Sequence, residues 1–119
     1  DEDERAWADL WNPIPKVVFS RTLTSVAAPA RLATGTLAEE IARLRAEPGD
    51  GEIAVGGASL AAQAAEQGLI DEYQVFTAPV LLGGGTPFFA RGLGKVDLEL
   101  VESRTFESGM VFGRYRVVA

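Results

Sequence analysis

The sequence predicts an α/β fold: a mixed, mostly parallel sheet flanked by helices, with an antiparallel C-terminal part. Two observations carry this. Up to about residue 70, short apolar runs rich in β-branched residues alternate with stretches of helical period, the pattern of strand–helix–strand units. After Asp71-Glu72 the helical period ends, and strand-like segments follow one another across glycine- and proline-rich turns, as in antiparallel sheets.

In the stretch 3–11, Ala6, Trp7, Leu10 and Trp11 recur at helical spacing, so a short amphipathic helix is expected there, ending before Asn12-Pro13. Trp7 and Trp11 share its apolar face and are expected to pack. Lys16–Ser20 (KVVFS) reads as a buried strand, and Arg31–Ala33 as a short one. Thr36-x-x-Glu39 is a capping box, in which the hydroxyl accepts from the amide three residues on and the glutamate reaches back. The helix it opens puts Leu37, Ile41 and Leu44 on one face and stops at Glu47-Pro48-Gly49-Asp50-Gly51. Glu52–Val55 (EIAV) is expected to be a second buried strand, and a helix from about Ser59 to Gln67 follows, with Gly68 at its C-terminal cap. Strands are then expected at Tyr73–Ala78, Val96–Arg104 and Met110–Val118.

The 119 residues are one domain's worth of chain, and 47% apolar with 24% charged residues is ordinary for a globular protein with a sizeable core. A net charge of −6 argues against a nucleic-acid surface, which needs a basic patch. It leaves room for one phosphorylated cofactor, for which backbone donors and one arginine suffice. No apolar run is long enough to span a membrane, and the start Asp1-Glu2-Asp3-Glu4 is unlike a signal peptide. Cysteine and histidine are both absent, which removes thiolate nucleophiles, Cys/His zinc sites and histidine-based triads. Any chemistry must use carboxylates, hydroxyls, Lys/Arg, backbone donors or a cofactor.

Two sites stand out. Ser20-Arg21-Thr22 follows a strand, where open α/β sheets bind ligands. Two hydroxyls around a guanidinium suit a phosphate monoester, but the tripeptide alone fits better a polar strand end with a solvated arginine. Gly56-Gly57-Ala58-Ser59-Leu60 carries a strand into a helix. Such a turn brings backbone amides and the positive helix end toward an anion, and it can also be a tight turn with Ser59 as N-cap. Other polar groups read as structural. The neighbours Asp71 and Glu72 would point to opposite faces of a strand, Gly83-Gly84-Gly85 suits a phosphate cradle or equally a wide turn, and Glu99, Glu102 and Glu107 suit a solvated face.

Taken in order, KVVFSRTL (16–23), PGDGEIAVGGASLA (48–61), GLIDEY (68–73), APVLLGGGTPFF (78–89) and FESGMVFGRY (106–115) resemble the cofactor half of dihydrofolate reductase. They resemble most closely the reductase domain of the bifunctional riboflavin-biosynthesis deaminase/reductase. The resemblance implies a dihydrofolate-reductase-like fold, of which 1–119 would be the C-terminal two-thirds. It implies an NADPH-dependent oxidoreductase acting on a small-molecule substrate, cytoplasmic and homodimeric, and as a second reading a non-catalytic nucleotide-binding module. Ser20, Arg21 and Thr22 would bind the adenosine 2′-phosphate, and Gly56, Gly57, Ala58, Ser59 and Leu60 would hold the pyrophosphate. Val55 stands before the Gly-Gly, where enzymes of riboflavin synthesis commonly show a glutamate and dihydrofolate reductases an apolar residue. This departure weakens the pyrimidine-reductase assignment and favours a stand-alone relative whose substrate, pyrimidine- or pteridine-like, is open. In this topology Glu52–Val55 is expected to lie between two strands of an upstream segment, roughly 50 residues by ordinary element lengths. That segment would also carry the catalytic residues.

Overall fold

A computed structural model describes residues 1–49, 51–89 and 92–118, and the chain divides into two compact units, Asp1–Ile53 and Ala54–Ala119. In the first unit, α1 (Glu2–Trp11) opens on Asp1, whose side chain accepts from the Glu4 amide at 2.7 Å. Its acidic first turn suits the positive helix end. Lys16 closes the other end. Its Nζ donates to the carbonyls of Trp11 (2.7 Å) and Ile14 (2.8 Å) and sits 4.7 Å over the Trp11 ring. Trp7 and Trp11 stack on each other at 5.3 Å, yet Trp7 remains 60% exposed, so they pair at the surface rather than in a core.

Strands β1 (Lys16–Val18) and β2 (Ala30–Leu32) pair in parallel, with Val17 opposite Arg31. β1 is shorter than the expected strand and half-buried, because β2 is its one described neighbour. Helix α2 (Leu37–Ala46) has the expected capping box: Thr36 Oγ1 accepts from the Glu39 amide at 3.2 Å, and Glu39 Oε1 accepts from the Thr36 amide at 3.0 Å. Leu37 and Ile41 are buried on its inner face. Glu40 is buried with them, at 1% exposure, held by Arg31 (2.6 Å) and Arg43 (2.5 Å).

In the second unit, α3 (Ala58–Glu66) ends on Gly68, whose φ of +68° lets the Leu69 amide turn back to the Ala64 carbonyl at 2.9 Å. The sheet that follows is antiparallel, in the order β3 (Glu72–Thr77), β5 (Val111–Val117), β4 (Leu98–Thr105). The pairs Tyr73↔Tyr115, Val75↔Gly113 and Leu100↔Tyr115 put apolar side chains on one face. The other face carries Glu72, Glu99, Glu102, Arg114 and Arg116, with Arg116 bonded to Glu99 at 2.7 Å. A register shift between Leu100 and Glu102 keeps this alternation in phase. Gly113 is required where it stands, since a Cβ there would lie 2.7 Å from the Tyr115 ring.

The class is as expected, an α/β chain with a parallel pair early and an antiparallel sheet late. One element differs. Glu52–Val55 forms no ladder, because no described strand lies beside it to satisfy its backbone groups. The expected sizeable core differs as well. Among the described residues few apolar side chains are buried, Leu37, Ile41 and Ala64 among them, while Phe76 (60%) and Phe88 (64%) stay exposed.

Candidate functional site

The candidate residues lie in both units, and each group has its own local construction. In the first unit, Ser20-Arg21-Thr22 sits just beyond β1 in an exposed turn. Ser20 Oγ accepts from the amides of Thr22 (3.2 Å) and Leu23 (3.1 Å) and lies 3.4 Å from Thr22 Oγ1. This hydroxyl-capped turn brings the two hydroxyls together. Arg21, between them in sequence, is exposed and makes no hydrogen bond or ion pair among the described residues. Its fork of donors is free for an anion.

In the second unit, Gly56-Gly57-Ala58-Ser59-Leu60 forms the entry to α3. The N-cap is Gly57, not Ser59, with φ +91° and no side-chain cap hydrogen bond. The amides of Ala58, Ser59 and Leu60 belong to the first turn, where no carbonyl of the helix can reach them. No acidic residue stands in that turn. Gly57 matters for its backbone, since a side chain at φ +91° would be strained although nothing lies within 4 Å of the Cβ position. The result is a bare, positively polarised helix end.

A cavity of about 410 Å³ opens directly on it, lined by Ala58, Ser59 and Ala62 of α3 and by Gly85, Thr86, Pro87 and Phe89 across from them. The sequence singles out Gly83-Gly84-Gly85 as a turn that also suits a phosphate, but not Thr86, Pro87 or Phe89 as part of a site. Gly-Gly-Gly-Thr-Pro looks like a turn, and its juxtaposition with α3 is long-range. Phe89 is held edge-on against Tyr73 at 5.4 Å and Phe88 at 4.8 Å. It also borders a second cavity of about 230 Å³ on the apolar sheet face, with Val75, Leu98 and Tyr115.

Three of the carboxylates read as structural, Glu72, Glu99 and Glu102, have structural partners. Glu72 lies 3.5 Å from Arg114 and accepts from Gln74 at 3.0 Å. Glu102 takes Arg104 at 2.6 Å. Among the described residues no acidic cluster could hold a metal ion, and no helix is long and apolar enough to cross a membrane.

Comparison with known proteins adds a family. The model of the RibD C-terminal domain matches residues 1–112. The uncharacterized protein YyaP of Bacillus subtilis is 35% identical over 114 residues, covering 93% of the chain, and the chain spans 61% of that relative's length. A crystal structure of a protein assigned to riboflavin biosynthesis, from Shewanella sp. PV-4, superposes with a TM-score of 0.77 at 27% identity, over 99% of this chain and 70% of its own. A pyrimidine reductase-like protein from Corynebacterium diphtheriae shares the fold, with a TM-score of 0.55 at 21% identity over 76% of this chain and 38% of its own.

Proposed function

The chain belongs to the RibD C-terminal domain family, a reductase-like family of riboflavin biosynthesis whose members typically bind a nucleotide cofactor, and on that premise we propose that it supplies the cofactor-binding part of an NADPH-dependent reductase. The substrate in this reading is a small pyrimidine- or pteridine-like heterocycle, resembling the aminouracil intermediate of riboflavin synthesis. The setting is the cytoplasm, where a reduced nicotinamide pool is maintained.

The observation that carries the reading is the start of α3: uncapped amides, a glycine at φ +91°, no acid in the first turn, and a cavity of about 410 Å³ in front. That donor set fits a diphosphate, which asks for backbone N–H groups and the positive end of a helix dipole, with no Cβ in the way. Gly56, Gly57, Ala58, Ser59 and Leu60 hold it. The unpaired Arg21, flanked by the Ser20 and Thr22 hydroxyls, takes the adenosine 2′-phosphate, the group that separates NADPH from NADH. When bound, the cofactor supplies the hydride, and these residues bind and orient it. The catalytic residues are not assigned among the 119 positions.

The test is cofactor titration of the full-length protein. NADPH binds more tightly than NADH, and Arg21→Ala removes most of the difference. One charge-assisted contact of about 1.5–3 kcal/mol corresponds to roughly 10- to 150-fold in affinity. Equal affinities in the unmodified protein overturn the cofactor assignment. Oxidation of NADPH with candidate heterocycles then separates a reductase from a module that binds the nucleotide without chemistry. Homodimerisation belongs to the same reading, supported by exposed Leu98, Leu100 and Val111 on the sheet, and light scattering checks it.

A further inference from the structure

We propose that Val80–Gly85 is a strap that closes over the cavity at the start of α3 once a nucleotide is seated there. This rests on the nucleotide reading of that cavity.

The strap's tip is apolar and in water: Val80 is 60% exposed, Leu81 98% and Leu82 84%. Isolated apolar residues at a surface are ordinary, but three consecutive ones at a loop tip need a partner to be worth keeping there. The two ends of the segment are fixed. On one side Pro79 packs against Gly109, where a Cβ would come within 3.1 Å of the proline ring. On the other, Thr86 and Pro87 are already cavity wall, and Phe89 is anchored on Tyr73. Between the anchors stand Gly83 (φ +77°) and Gly85 (φ +115°), both with nothing within 4 Å of a Cβ position. Glycine crosses between backbone regions without steric cost, so the pair can act as hinges.

Reach and charge both suit closure. Leu82 is three residues from the wall residue Gly85, a span of up to roughly 10 Å, while a cavity of about 410 Å³ is about 9 Å across if spherical. The stretch 79–87 (PVLLGGGTP) carries no charge, so in a chain of net charge −6 it is a segment that can approach a diphosphate without repulsion. An empty cavity gives the leucines little to cover. A nucleotide filling it presents planar and sugar surface, and closure buries both partners from water.

The experiment is amide hydrogen exchange of the full-length protein with and without saturating NADPH, with binding kinetics of a Leu81→Ser/Leu82→Ser double variant. Both side chains are solvent-exposed, so the variant is expected to fold. The expected result is slower exchange in two places, the first turn of α3 and Val80–Gly85, and an about tenfold faster NADPH release with little change in association, since a closed strap acts on dissociation. Protection at α3 with unchanged exchange in Val80–Gly85 overturns the strap and leaves the nucleotide reading intact. Protection at neither place, with no NADPH bound, overturns both. Strap protection that needs no NADPH and rises with protein concentration marks a contact between copies and overturns closure.

Discussion

At the start of α2, Thr36 accepts from the Glu39 amide and Glu39 accepts from the Thr36 amide, whereas at the start of α3 Gly57 has no side chain to offer. Both helices carry the same kind of macrodipole, and their lengths are nearly equal, 10 and 9 residues. The difference lies in what the side chains do with it. In α2 the capping box consumes donors internally, and Glu39 and Glu40 place negative charge in the first turn. The Thr36 backbone amide, with help from its hydroxyl and from Arg43, holds the Glu39 carboxyl below its ordinary value. An incoming anion would meet spent donors and like charge. In α3 there is neither cap nor acid, and a cavity stands in front. In the proposed reading, one helix start is a structural joint and the other an anion seat, and one or two side chains make the difference.

The largest expected effect breaks the α3 side of this contrast. Gly57→Val puts a branched side chain at φ +91° beside the amides, and NADPH affinity should fall by more than about 100-fold while the protein still folds, at a strain cost of about 1–3 kcal/mol. Titration of the variant, with circular dichroism for folding, decides it, and undiminished affinity in a folded variant would reduce the glycine turn to structure alone.

Next comes the α2 side, through Glu40. Burial raises its pKa, but the Arg31 hydrogen bond and charge, the Arg43 charge and the Thr34 amide outweigh that and leave it below the ordinary 4.5. A carboxylate depressed in the folded state stabilises fully above pH 4.5 and loses that contribution as pH falls through the folded value. Glu40→Gln leaves Arg31 and Arg43 without their buried counter-charge, so its thermal midpoint at pH 7 should drop by several degrees. Its stability curve between pH 5 and 3 should also be flatter than that of the unmodified protein. NADPH affinity should not change, and parallel pH curves would rule out this role for Glu40.

The smallest effect sharpens the comparison. Thr36→Ala removes the cap and should cost about 1 kcal/mol in chemical denaturation, again with NADPH affinity unchanged. Weakened binding in that variant would mean that the two helix starts are not functionally distinct.

What could be read from residue order is what is made over three or four residues. The Thr36-x-x-Glu39 box and the Gly68 turn are local hydrogen bonds between near neighbours, so their spacing specifies them. The alternation along 96–104 likewise marks a strand, because one face meets water wherever the strand pairs. The resemblance located Arg21 and the Gly56-Gly57 turn for the same reason, since each is a short continuous motif. The N-cap is two positions earlier than expected, Gly57 instead of Ser59.

The remaining features depend on groups far apart in the chain. Glu40 lies on the buried face of an otherwise ordinary amphipathic helix, and its burial depends on Arg31, nine residues away on another element. Glu52–Val55 has a strand's composition, but a strand is completed by its neighbours, and none is described beside it. The register shift after Leu100, the Tyr115 ring over Gly113 and the cavity wall at Gly85, Thr86, Pro87 and Phe89 are all set by tertiary packing. By itself, then, the sequence determined the helices, the α2 capping box and the Gly68 turn, because nearest-neighbour sterics and hydrogen bonds suffice for those. Only the tertiary structure decided which carboxylate is buried, which strands pair and what faces the bare end of α3, because those energies arise only when distant segments meet.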